Sequence, residues 1–135
     1  MKIKHFLESA DVKVIAAAAE AEALKNNWHV TIAIVDEGGH LLALQRLDGA
    51  PPISSHIAPA KANTAALGRR ESKIYEDVIN AGRISFLSAP DLKGLLEGGV
   101  PIIKDGQCIG AVGVSGVKSN EDAQIAKVGI AALGL

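Results

Sequence analysis

The chain has 135 residues, a net charge of −1 at pH 7 and a 3 % share of aromatic residues, namely Phe6, Trp28, Tyr75 and Phe86. The length suits one domain, residues 1–135, with a sizeable core. The charge excludes the basic stripe that non-specific nucleic-acid binding needs, and so few rings exclude a base-stacking platform.

At the N-terminus, Lys2, Lys4 and Glu8 put charge where a secretory leader needs an apolar stretch. No apolar run approaches the ~18 residues of a membrane span. The single cysteine, Cys108, excludes an internal disulfide and fits a reducing compartment. The chain is therefore expected in the cytoplasm, with neither a membrane nor a nucleic acid as partner.

Ser9 is the predicted N-cap of a first helix, with Asp11 favourable in its first turn. Val12, Ile15, Ala16, Ala19 and Ala23 keep helical spacing, and the helix should end near Asn26-Asn27. Val30 to Val35 is a β-branched strand. Asp36-Glu37-Gly38-Gly39-His40 turns it back onto a partner strand, Leu41 to Leu47. Pro51-Pro52 closes the next loop. Ile53 to Gly68 has a helical pattern that Pro59 interrupts, because proline removes a hydrogen bond and clashes with the preceding turn. The expectation is a short turn over Ile53 to Ile57 and a helix from about Pro59, with Gly68 at C′ and Arg69-Arg70 at the negative end. Ser72 should cap a short helix, Lys73 to Asn80, which Gly82 stops. Arg83 to Lys93, with Pro90, is irregular.

Val100 to Ile103 and Cys108 to Val117 flank Asp105-Gly106, a strong type I′ hairpin signal. Ser119-Asn120-Glu121-Asp122 reads as a capping box with Asp122 in the acidic slot. It opens a last helix with Ile125, Val128 and Ala132 on one face. Two hairpins and several helices predict an α+β fold, an antiparallel sheet covered by helices.

Gly110, Gly113 and Gly116 recur every third residue in the last strand, so something must approach its backbone closely, either a helix or a ligand. No glycine-rich phosphate loop is present. Lys61, Thr64 and Gly68 share one helical stripe. A lysine among alanines must snorkel or meet an acceptor, and Glu97 and Asp122 are its candidate partners. It is either half of a structural salt bridge or a cation facing an anionic ligand: a carboxylate, a phosphate or a haem propionate. Glu97-Gly98-Gly99 is a turn or an anion-binding wall. Lys61, Thr64, Glu97, Gly98, Gly99, Gly113, Ser115 and Gly116 are predicted to converge on one ligand pocket. His5, His29, His40 and His56 show no metal-ligand spacing, so no metal site is expected. Cys108 is a small buried hydrophobe or a soft axial ligand for haem iron.

Four ordered stretches resemble the GlcG/HbpS-like family. They are Ile34-Val35-Asp36-Glu37-Gly38-Gly39-His40-Leu41, then Lys61-Ala62 with Thr64-Ala65, then Glu97-Gly98-Gly99-Val100-Pro101-Ile102, then Gly110 to Gly116. That family is labelled haem-degrading, includes the C-terminal domain of PduO-type proteins, and has small stand-alone OrfY/GlcG-type members. The resemblance implies a profilin-like α/β/α arrangement, a five-stranded antiparallel sheet between helices, with dimers assembling into larger rings. It also implies a haem- or corrinoid-related role. PduO-type domains hold haem through a histidine and a cysteine, for which His40, His56 and Cys108 are the candidates here. The leading expectation is an oligomeric small-ligand-binding protein, accessory to glycolate or glycerol and propanediol metabolism, that takes haem or a small anion. One alternative is an enzyme acting on a small carboxylate or hydroxy acid with Lys61 and Glu97 as acid and base. The other is a structural or assembly protein without a ligand.

Overall fold

A computed structural model describes residues 1–135. Helix α1 (Ser9–Lys25) leads into the hairpin of β1 (Thr31–Asp36) and β2 (Leu41–Arg46). Helices α2 (Ser54–Gly68) and α3 (Ser72–Asn80) follow, then a 3-10 turn at Ile84–Ser88. A second hairpin, β3 (Gly99–Lys104) and β4 (Gln107–Ser115), precedes α4 (Ser119–Ala131). Its tip is Asp105-Gly106, with φ of 51° and 75°, both positive as a type I′ turn requires.

The strands form one sheet in the order β2-β1-β4-β3, every neighbour antiparallel. It has four strands, not the five the resemblance implied. The long segment before β3 supplies no strand. Pro90 lacks an N–H, residues Ile84–Ser88 wind into the 3-10 turn, and Gly98 bends the chain at a φ of 132°.

Strand alternation sorts the core into two layers. Ile32, Ile34, Val112 and Val114 point to the face covered by α1 and α4, where they meet Ile15, Ala19 and Ile125. Ala33, Val35 and Ala111 point the other way, onto Ala58, Ala62, Ala65 and Ala66 of α2. Each isoleucine buried this way contributes about 1.5–3 kcal/mol. The two faces differ in side-chain size. Ala33 pairs with Gly113, and Gly113 with Gly99, so the smallest residues form a row across the sheet. A methyl group on Gly113 would strike the Ala58 carbonyl and the Ala62 N–H. At Gly113, therefore, the close approach is made by α2.

Three helix starts fall one residue earlier than their serines suggested. The N-caps are Glu8, Glu71 and Lys118, and Ser9, Ser72 and Ser119 are the first helical residues. At α1 the Asp11 carboxylate accepts the Glu8 N–H at 2.8 Å, so the acid three residues on closes the turn. At α4 that place belongs to Glu121, which accepts the Lys118 N–H at 3.2 Å, and Asp122 is released for other contacts. Ser72 turns its hydroxyl away from the helix, accepting the Gly99 N–H at 2.8 Å and donating to the Leu96 carbonyl.

Helix α2 is continuous through Pro59, contrary to the expected break. The alanines on both sides of the proline are held against the sheet, and Ser54 is anchored by Thr31 at 2.7 Å. This packing outweighs one lost hydrogen bond. The helix ends with Arg69 rather than Gly68 in the left-handed region, at a φ of 56°. Gly68 serves instead as the seat for the Tyr75 hydroxyl, which leaves no room for a Cβ.

Candidate functional site

The Lys61 side chain runs from α2 towards the end of β4 and is 3 % exposed. Its Nζ donates to the Val114 carbonyl at 3.0 Å and to Asp122 Oδ2 at 3.1 Å. Asp122 is 2 % exposed, and its other oxygen accepts the Val117 N–H at 3.2 Å. Burial pushes the Asp122 carboxyl above its ordinary value, and the Lys61 ammonium and the Val117 N–H pull part of the way back. Of the two partners proposed for Lys61, the structure joins it to Asp122. Glu97 instead accepts the Ser119 hydroxyl at 3.3 Å.

The residues expected to line a pocket pack closely against neighbouring segments. Gly98 lies against the Lys61 side chain, and Gly99 against the Lys61 carbonyl. Thr64 accepts the Gly94 N–H at 3.1 Å. Ser115 is buried at the end of β4, and Gly116, at a φ of 145°, sits against the His29 carbonyl at the far edge. Lys61 borders none of the surface clefts.

The haem-ligand candidates stand apart. His56 is exposed near the start of α2 and borders no cleft. His40 closes the β1–β2 turn, with Nδ1 3.2 Å from Asp36 Oδ1. Asp36 also accepts the Gly38 and His40 N–H groups, each at 2.9 Å. Burial alone would raise the Asp36 carboxyl; the His40 and Gly38 N–H groups and the His40 ring outweigh it and hold the group below its ordinary value.

Cys108 lies at the start of β4, 7 % exposed, its Sγ 3.3 Å from the Gly110 carbonyl. It opens on a cleft of about 430 Å³. Lys2 and Lys4 line one side, Arg69 at the end of α2 another, and Ile103, Gly106 and Gln107 of the hairpin the rest. No carboxylate lines it. The N-terminal segment is held over the hairpin by His5 and Asp105, 3.5 Å apart, and by buried Leu7, which packs on Gly110. The histidine and the cysteine expected to act together thus open on different clefts: His40 on one, Cys108 on the other.

Lys2, Lys4 and Arg69 were not singled out from the sequence as site residues. They come from segments far apart along the chain, and only the tertiary fold groups them. The available signals were the charges at the N-terminus and the Arg69-Arg70 pair.

Comparison with known proteins gives one consistent picture. Residues 7–131 match the family model described as "Haem degrading protein HbpS-like". The chain is 56 % identical over 115 residues to Protein GlcG of Escherichia coli K12, covering 85 % of each. The crystal structure of Klebsiella pneumoniae protein ORFY superposes with a TM-score of 0.91 at 28 % identity, covering 99 % of this chain and 94 % of that one. A crystal structure of a PduOC–haem complex superposes with a TM-score of 0.86 at 29 % identity, covering 95 % of each chain.

Proposed function

The chain belongs to the HbpS-like family, and on that premise we propose that it binds haem in the cleft bordered by Cys108. The observation that carries this reading is the grouping of a sulfur donor with Lys2, Lys4 and Arg69 and no carboxylate. A haem offers an iron that accepts soft sulfur ligands and two propionates that seek cations. The donor set fits on both counts, and Ile103 adds an apolar wall. Cys108 would hold the iron through its sulfur, and Lys2, Lys4 and Arg69 would hold the propionates. Bound there, haem would supply a redox-active iron. Arg69 is the C-cap of α2, whereas Lys2 and Lys4 lie on a segment outside any helix or strand. Arg69 is accordingly the stronger anchor.

The same reading has the protein working in the cytoplasm as a homo-oligomer, beside glycolate or glycerol and propanediol utilisation. Its support for assembly is β2, an edge strand with Leu41, Leu42 and Leu44 exposed. No helix is long and apolar enough to cross a membrane.

Titration with hemin tests the ligand. A Soret shift that saturates is expected, with a thiolate-ligand spectrum lost in Cys108→Ser and weaker binding in Arg69→Ala. No Soret shift would end the haem reading. An unchanged spectrum in Cys108→Ser would remove Cys108 as the ligand. Cobalamin in place of hemin separates a corrinoid from a haem. Light scattering during size-exclusion chromatography measures assembly, and Leu42→Lys on the β2 edge is expected to reduce it.

A further inference from the structure

The turn that carries His40 borders a second cleft, of about 440 Å³, whose chemistry differs from that of the Cys108 cleft. Its walls are the β1–β2 turn, Asn63 and Leu67 of α2, and the segment with Asp91 and Lys93. One hydrogen bond and one close backbone approach bring these walls together. Asn63 Nδ2 donates to the Asp91 carbonyl at 3.0 Å, joining α2 to that segment. Gly39, at a φ of 80°, lies so close to Asn63 Oδ1 that a Cβ there would collide with it. Asp36 holds the turn itself through the Gly38 and His40 N–H groups.

The arrangement also sets the chemistry of the imidazole. A carboxylate can only accept, so the proton shared with Asp36 Oδ1 sits on His40 Nδ1. Nε2 is then the ring nitrogen left without a protein partner, on a side chain that is 81 % exposed. Two further groups complete the set. Lys93 joins none of the chain's ion pairs, and the Asp91 carboxylate joins none either. The cleft thus offers one free cation, two acceptors in His40 Nε2 and Asp91, and an apolar patch at Leu67.

A ligand that complements this set carries a negative end for Lys93 and a hydrogen-bond donor for His40 or Asp91. We propose that this cleft is a binding site for a small carboxylate bearing a donor group next to its carboxyl, either a hydroxyl or an ammonium. Lys93 pairs with the carboxylate, and His40 Nε2 and Asp91 accept from the donor. Asp36 is a positioning residue that keeps Nε2 turned to the ligand. The site is separate from the Cys108 cleft and does not depend on haem.

The test is a titration of the full chain with lactate, alanine and propionate, following the His40 ring signals by NMR. Lactate carries the hydroxyl, alanine the ammonium and propionate neither. Lactate or alanine is expected to move the His40 signals saturably, and the tighter of the two identifies the donor. Propionate is expected to bind about ten-fold more weakly, the worth of one hydrogen bond to a charged or polar partner. Lys93→Met should weaken the preferred ligand about three- to five-fold. Asp36→Asn should weaken it while the folded spectrum persists, and Cys108→Ser should leave it unchanged. Equal binding of propionate, an unchanged affinity in Lys93→Met, or no movement of the His40 signals with any probe would each overturn the proposal. A loss of binding in Cys108→Ser would overturn its independence from the other cleft.

Discussion

Lys61 Nζ and Asp122 Oδ2 meet 3.1 Å apart with almost no exposed surface on either residue. The pair joins α2 to α4, and the bond from Lys61 to Val114 adds β4. Removing one partner leaves a charge buried without compensation, which costs about 3–5 kcal/mol. Lys61→Ala and Asp122→Ala should each lose that much in urea denaturation. The double variant Lys61→Met with Asp122→Leu should lose less than either, since no charge is stranded. A Lys61→Ala variant as stable as the parent would mean that the pair does not stabilise the seam.

Two glycines of the second hairpin should respond very differently to alanine. Gly106 has a φ of 75° with open space around it, so Gly106→Ala should cost only the left-handed backbone penalty, about 1 kcal/mol. Gly113 has an ordinary backbone but sits under α2. Gly113→Ala forces helix and sheet apart and should cost at least about 2 kcal/mol. Melting temperatures of the two variants give the comparison, and equal losses would show that α2 can move aside.

Pro59 costs α2 one hydrogen bond, the one its N–H would have given to the Ser55 carbonyl. Pro59→Ala should restore it. A proline inside a helix costs about 3 kcal/mol, and its stiffening of the unfolded chain returns about 1 kcal/mol. The variant should therefore gain about 2 kcal/mol, read as a higher urea midpoint. A lower midpoint would show that the proline ring contributes packing that alanine lacks.

Asp36 makes the acid limb of stability testable. Its carboxyl is held below the ordinary value of 3.8, so the folded chain binds this proton less readily than the unfolded one. The contribution is complete above about pH 3.8 and is lost as the pH falls through the lower folded value. Asp36→Asn removes it. The stability gap between parent and variant should be constant near neutrality and shrink below about pH 4. A gap that stays the same down to about pH 3 would contradict the assignment.

Much of the fold was legible because local chemistry and packing agree. Asp105-Gly106 named its turn, and the spacing of Val12, Ile15, Ala19 and Ala23 named the buried face of α1. Glu97 and Asp122 were equal candidates as the partner of Lys61, and only the packing of α4 on α2 and β4 selects Asp122. The errors are of a different kind. Ser9, Ser72 and Ser119 look like caps, yet each follows a residue whose backbone begins the helix, and Ser72 is drawn away by Gly99. Pro59 predicts a break because its local cost is visible in sequence and the sheet beneath α2 is not. The clefts were illegible for the same reason. Arg69 lines one cleft with Cys108, and Lys93 another with His40, only after distant segments have packed.

The row of small residues beneath α2 also bears on how this molecule breathes. Gly94, Gly99 and Gly113 touch the backbone of α2 at Ala58, Ala60, Lys61 and Ala62, with no side chains between to slide or re-pack. A helix seated this way cannot lift by one turn while its neighbours stay closed. Amide protons of α2, β3 and β4 should therefore exchange with solvent as one cooperative unit, whereas the edge strand β2 opens on its own.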